Sequence, residues 1–132
     1  MRADCTTKCK DKISEKTVLI AEDDFISFKL LSYLVRKTGA KVIWAQNGLE
    51  AVNICKENKN IDLVFMDICM PAMDGLEATL KIKQLQSELP VIIQTTSGDY
   101  SKKGFEAGCD EFISKPFKIE TIFSLMNKYI RE

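Results

Sequence analysis

The feature that most constrains this chain is a fivefold alternation of short apolar runs with longer amphipathic stretches. The runs are Thr17 to Ala21, Lys41 to Ala45, Ile61 to Met66, Pro90 to Thr95 and Glu111 to Ser114. They are too short for helices, and several are β-branched and apolar throughout, as in strands covered on both faces. The stretches between them carry helical signals. Phe28, Leu31 and Val35 mark one face of the first, with Leu30 and Leu34 beside it and Gly39 closing it. Asn47-Gly48-Leu49-Glu50 opens the second, with Asn47 as N-cap and Glu50 able to reach back to the cap's backbone. Ala51, Val52 and Cys55 carry its buried face. Asp74-Gly75-Leu76-Glu77 repeats that pattern for a third helix. Gly98, Gly104 and Gly108 imply that a fourth is short. Ile119, Ile122, Phe123, Met126 and Ile130 fall at helical spacing in the last. Strand-helix alternation of this kind predicts an α/β fold, a doubly wound five-stranded parallel sheet with helices on both faces.

At 132 residues the chain is one domain's worth. Residues 1–16 are polar and lysine-rich and read as a flexible tail or linker; residues 17–132 read as the domain. Lysine plus arginine balance aspartate plus glutamate at 19 each, so no basic excess points to nucleic acid. The absence of histidine excludes histidine-based acid–base chemistry, histidine metal ligation and a phosphohistidine within the chain. Five cysteines, an odd number at irregular spacing, suit reduced thiols. Cys5 and Cys9 belong to the tail and lack further ligands nearby. Without a signal segment or a membrane-length apolar run, the expected location is cytoplasmic.

In an open α/β sheet, chemistry gathers outside the carboxyl ends of the strands. Strand one delivers Glu22, Asp23 and Asp24 there, strand three Asp67, strand four Thr95 and Thr96, and strand five Lys115. Converging carboxylates raise one another's pKa unless a cation intervenes. Mg²⁺ takes such oxygens together with waters and phosphate oxygens. Glu22, Asp23 and Asp67 could supply its acidic ligands, Lys115 a fixed positive charge, and Thr95 a hydroxyl donor. The set reads as a site for a transferred phosphoryl group with Asp67 as acceptor nucleophile. Asp74-Gly75 is cap and turn chemistry.

Glu22-Asp23, the Asp67-x-x-Met70-Pro71-x-x-Asp74-Gly75 block, Thr95 after an apolar strand, and Lys115-Pro116-Phe117 together resemble a response-regulator receiver domain over residues 17 to 130. The resemblance implies a flavodoxin-like three-layer α/β/α fold with strand order 2-1-3-4-5. It implies that Asp67 is the phosphoacceptor, and that Glu22, Asp23, Asp67 and the Cys69 backbone carbonyl hold Mg²⁺. Lys115 would bind a phosphoryl oxygen, its bond to Pro116 would be cis, and Thr95 and Phe112 would be the switch pair. The implied partner is a sensor histidine kinase or a histidine phosphotransfer protein. No direct contact with nucleic acid or membrane is implied, and the expected state is a monomer or weak dimer. The domain would be a signalling phosphoacceptor that assists its own phosphorylation and dephosphorylation, not an enzyme. It would be either freestanding or the end of a hybrid sensor kinase, which the lysine-rich leader favours.

Two positions and one segment depart from the pattern. Phe112 lacks the hydroxyl of the commoner tyrosine. Thr96 stands where the family usually has alanine or glycine. The segment from Thr95 to Lys115 is short, which implies a shortened fourth helix. Two other classes suit the same fold. A flavodoxin-like cofactor binder would need a glycine-rich phosphate cradle after strand one, where three acids stand. A Mg²⁺-dependent phosphatase with an aspartate nucleophile would need a carboxylate two residues after Asp67, where Cys69 stands.

Overall fold

The computed structural model describes residues 15–68, 70–95, 101–115 and 118–130. Its elements run β1 (Thr17–Ala21), α1 (Phe25–Lys37), β2 (Lys41–Ala45), α2 (Gly48–Glu57), β3 (Leu63–Asp67), α3 (Gly75–Leu85), β4 (Val91–Thr95), α4 (Ser101–Ala107), β5 (Glu111–Ser114) and α5 (Ile119–Tyr129). The strands form one sheet in the order β2-β1-β3-β4-β5, parallel at every pairing. This is the flavodoxin-like sheet expected from the sequence. Of the earlier expectations, those on Cys5, Cys9, Cys69, Thr96, Pro116 and Phe117 lie outside the described residues.

Alternation along the buried strands divides the core into two layers. Leu19, Val64, Met66, Val91 and Ile93 face α2 and α3, meeting Ala51, Val52, Cys55, Ala78 and Ile82. Val18, Ile20, Leu63, Phe65 and Ile92 face α1 and α5, meeting Phe28, Leu31, Val35, Ile122, Leu125 and Met126. Burying each of those larger side chains contributes about 1.5–3 kcal/mol, which pins the register and therefore which residues leave the sheet together.

The helix signals hold with three adjustments. Asn47 accepts from the Glu50 N–H at 2.7 Å as expected, but the Glu50 carboxylate reaches the Gln46 N–H, one residue before the cap. Leu30 is 49% exposed while Leu34 is buried, so the inner face of α1 turns toward Leu34. In α5 the buried face is centred on Ile122, Leu125 and Met126, which leaves Ile119 and Phe123 on its rim. The third strand begins at Leu63, two residues after Ile61, and Asp67 is its last residue, not the first residue beyond it.

The amino ends of β4 and β5 are bracketed by charge. Lys83 of α3 meets Asp110 at 2.7 Å and donates to the Leu89 carbonyl at 2.8 Å. Asp110 in turn accepts from the Val91 N–H at 2.9 Å.

At the carboxyl ends, α3 packs hard against the loop it follows. Asp74 caps it by accepting from the Glu77 N–H at 2.9 Å. The next residue, Gly75, donates to the Ile68 carbonyl at 2.8 Å. A Cβ at Gly75 would stand 2.1 Å from the Asp67 carbonyl oxygen, a backbone atom with no room to yield. Gly75→Ala should therefore lower stability to urea unfolding by about 3 kcal/mol, beyond the range of an ordinary surface change.

Candidate functional site

Four chain segments deliver polar groups to the carboxyl edge of the sheet. Asp67 ends β3 and Thr95 ends β4, both buried. Glu22 follows β1, where it is only 2% exposed, and Asp23 beside it is exposed. Lys115 follows β5 and is fastened by its N–H to the Thr95 carbonyl at 2.9 Å. Carboxylate oxygens of Glu22, Asp23 and Asp67 lie within 4.8 Å of one another. The Lys115 ammonium reaches both buried acids, 2.9 Å from Glu22 Oε1 and 3.4 Å from Asp67 Oδ1. The sequence-expected residues Glu22, Asp23, Asp67, Thr95 and Lys115 are thus brought to one edge. Phe112 stands apart from this cluster. It is half-buried in the α2–α3 layer, where a Cβ on Gly104 of α4 would come within 3.3 Å of its ring.

The electrostatics follow from this crowding. Burial, and then the neighbouring Glu22 charge, push the Asp67 carboxyl up to about 6, against the opposing pull of Lys115. Burial alone would pull the Lys115 ammonium down. Its hydrogen bond to Glu22 and the charges of Asp67 and Glu22 outweigh that and leave it raised. Among the described residues one ammonium therefore faces three acids, and negative charge is in excess there. Hard oxygen donors at this spacing, short of positive charge, suit Mg²⁺ in preference to a softer metal.

The turn that carries the acidic pair is clamped at both ends. Asp24 caps α1 by accepting from the Ser27 N–H at 2.8 Å, which holds its own carboxyl below the usual range. The Glu22 N–H donates to the Ala45 carbonyl of β2 at 3.0 Å. The Glu22 carbonyl accepts from the Trp44 indole Nε1–H at 2.8 Å. Gln94, fully buried on β4, points its amide toward Glu22 Oε1 at 3.5 Å, and its own Oε1 has no hydrogen-bond partner among the described residues. Sequence reasoning missed both Trp44 and Gln94. A glutamine inside an otherwise apolar strand was the available signal for one. For Trp44 there was none, because its role depends on the register that sets Ile20 against Trp44. Between Asp67 and α3, the Met73 N–H donates to the Pro71 carbonyl at 2.7 Å around Ala72, whose φ is 69°. That tight γ-turn folds the loop back over the strand end.

The family model for the response regulator receiver domain matches residues 18–127. The chain belongs to the response-regulator receiver family. This receiver is 34% identical over 122 residues to the polar-differentiation response regulator DivK of Brucella anthropi, covering 87% of this chain and 96% of that one. It is also 34% identical over 130 residues to a hybrid signal transduction histidine kinase of Dictyostelium discoideum, covering 87% of this chain. The receiver spans only 7% of that kinase and 28% of a cyclic di-GMP phosphodiesterase of Thermotoga maritima. Among solved structures, a chain from the co-crystal of the Saccharomyces cerevisiae histidine phosphotransfer protein Ypd1 with the receiver domain of Ssk1 superposes with a TM-score of 0.80. That match is 27% identical and covers 88% of this chain and 89% of the other. No helix among the described residues is long and apolar enough to cross a membrane.

The raised Asp67 carboxyl fixes a pH dependence. Its folded pKa of about 6 lies above the ordinary 3.8, so the unfolded chain gives up this proton first as pH rises. The group therefore costs nothing below the unfolded value, and stability falls as pH climbs through the interval to the folded one. In chelator, Asp67→Asn should be more stable than the parent at pH 7.5, by on the order of 1–2 kcal/mol. The gain should vanish towards pH 4, as read by thermal or urea unfolding at each pH.

Proposed function

We propose that this receiver accepts a phosphoryl group on Asp67 from a phosphohistidine of a partner protein. The observation that carries the reading is the meeting of Glu22, Asp23, Asp67 and Lys115, from three separate segments, around one small gap. The Asp67 carboxylate is the nucleophile. One of its oxygens attacks phosphorus in line, a P–O bond forms, and the P–N bond to the donor's imidazole breaks. The imidazole departs with the electron pair. Lys115 moves its charge from Glu22 to an oxygen of the transferred group, and Thr95 donates a hydroxyl to another. Glu22, Asp23 and Asp67, with the Cys69 carbonyl, would hold Mg²⁺, which neutralises the acids and the charge passing between the two proteins. The same residues admit water for later hydrolysis of the acyl phosphate.

Signalling follows from a shift of population. The added charge draws Thr95 toward Asp67 and frees room beside it for Phe112. Without a hydroxyl, Phe112 has only packing against Gly104 and its neighbours to choose between positions. The changed surface of α4, β5 and α5 is then read by a downstream protein.

Incubation with Mg²⁺ and a small acyl-phosphate donor should add one phosphoryl group by intact mass. Asp67→Asn should remain unmodified. An unmodified parent protein would sink the reading.

The donor would dock on α1. Its outer face shows Phe25, Ile26, Leu30 and Tyr33, between 49% and 71% exposed, directly after the acidic turn. An apolar patch rimming the reaction site suits a helix that carries a phosphohistidine. Ile26→Glu should slow transfer from a histidine phosphotransfer protein about tenfold, roughly 1.4 kcal/mol. Phosphorylation by the small donor should stay unchanged, because Ile26 is 71% exposed and lies outside the acidic cluster.

A further inference from the structure

The acidic turn that precedes α1 is tied to β2. Both backbone polar groups of Glu22 are taken by β2. Its N–H donates to the Ala45 carbonyl at 3.0 Å, and its carbonyl accepts from the Trp44 indole at 2.8 Å. The first bond merely continues the ladder. The second is made by a side chain and fixes the plane of the peptide joining Glu22 to Asp23. That plane decides how the two carboxylates sit relative to each other and to Asp67.

The indole is itself held on its face. It stacks on Phe28 with ring centres 4.3 Å apart and planes inclined by 9°. Phe25 leans on it from 5.7 Å at 43°. Phe28 is buried in the α1–α5 layer, and Phe25 is 52% exposed. The stack therefore runs from the core, under the acidic turn, to the surface. Stacked aromatic geometry restrains the ring plane, and so the direction of its single N–H donor.

We propose that Trp44 is a positioning residue for the cation site: through its bond to the Glu22 carbonyl it holds the Glu22–Asp23 pair in the arrangement that captures Mg²⁺. The inference rests on the receiver reading of the site. It adds a residue that touches neither the ion nor the phosphoryl group. Restraint before binding matters because ordering the turn otherwise draws on the binding free energy.

The test is calorimetric titration of Mg²⁺ into the chelator-stripped chain. Trp44→Phe keeps a ring to stack on Phe28 and removes the donor. Phe25→Leu keeps the donor and trims the exposed end of the stack. Trp44→Phe should weaken Mg²⁺ binding about fivefold, near 1 kcal/mol, with its thermal unfolding in chelator close to that of the parent. Phe25→Leu should weaken it less. Equal Mg²⁺ affinities for the parent and a folded Trp44→Phe would overturn the role of Trp44 and leave the receiver reading standing. A parent that binds no Mg²⁺ would overturn both.

The chain has a single tryptophan, so the unaltered protein gives an independent readout should Trp44→Phe fail to fold. The one indole N–H resonance should be protected from solvent exchange, and it should shift as Mg²⁺ is added. A resonance that exchanges freely, or stays fixed through saturation, would overturn the proposal.

Discussion

The attraction between Lys115 and the two buried acids Glu22 and Asp67 governs the carboxyl edge of this domain. Hydrophobic burial assembles the sheet, but it also forces like charges into a partly dry corner, where each raises the cost of the other. A single ammonium offsets part of that cost. The remainder is a standing deficit of positive charge, expressed in the elevated Asp67 carboxyl. In the proposed reaction a divalent cation would remove the repulsion, and Lys115 would be released to meet the phosphoryl oxygens.

That corner exists only because the rest of the fold is rigid around it. β1 and β3 are buried on both faces and bring Glu22 and Asp67 out side by side. The close approach of Gly75 to the Asp67 carbonyl fixes the loop after β3, and the Asp24 cap fixes the turn after β1. Lys115 follows a short strand and is steadied by the Thr95 carbonyl. Each functional side chain therefore leaves a backbone that already has hydrogen-bond partners of its own.

Much of this was legible in the chain. Apolar runs of the right length specified five strands, and the polar residues ending four of them gave the cluster, because in a parallel sheet all such ends share one edge. The α5 face was read slightly out of phase: Ile119 and Phe123 are apolar, yet they fall on the rim, while Leu125 turns inward. Spacing along one helix cannot say where the facing sheet ends. Contacts made across strands were not legible at all. The bond from Trp44 to Glu22 spans 22 positions and depends on a register that emerges only when both strands are placed. Gln94 looked like one more strand residue until its amide was found beside Glu22.

The two ends of the sheet are electrostatically unlike. At the amino ends of β4 and β5, Lys83 and Asp110 satisfy each other and tie down the Leu89 carbonyl and the Val91 N–H. At the opposite end the charges do not balance. The β4–β5 pair is thus anchored at its amino end, while its carboxyl ends hold Thr95 and Lys115 beside the unbalanced acids.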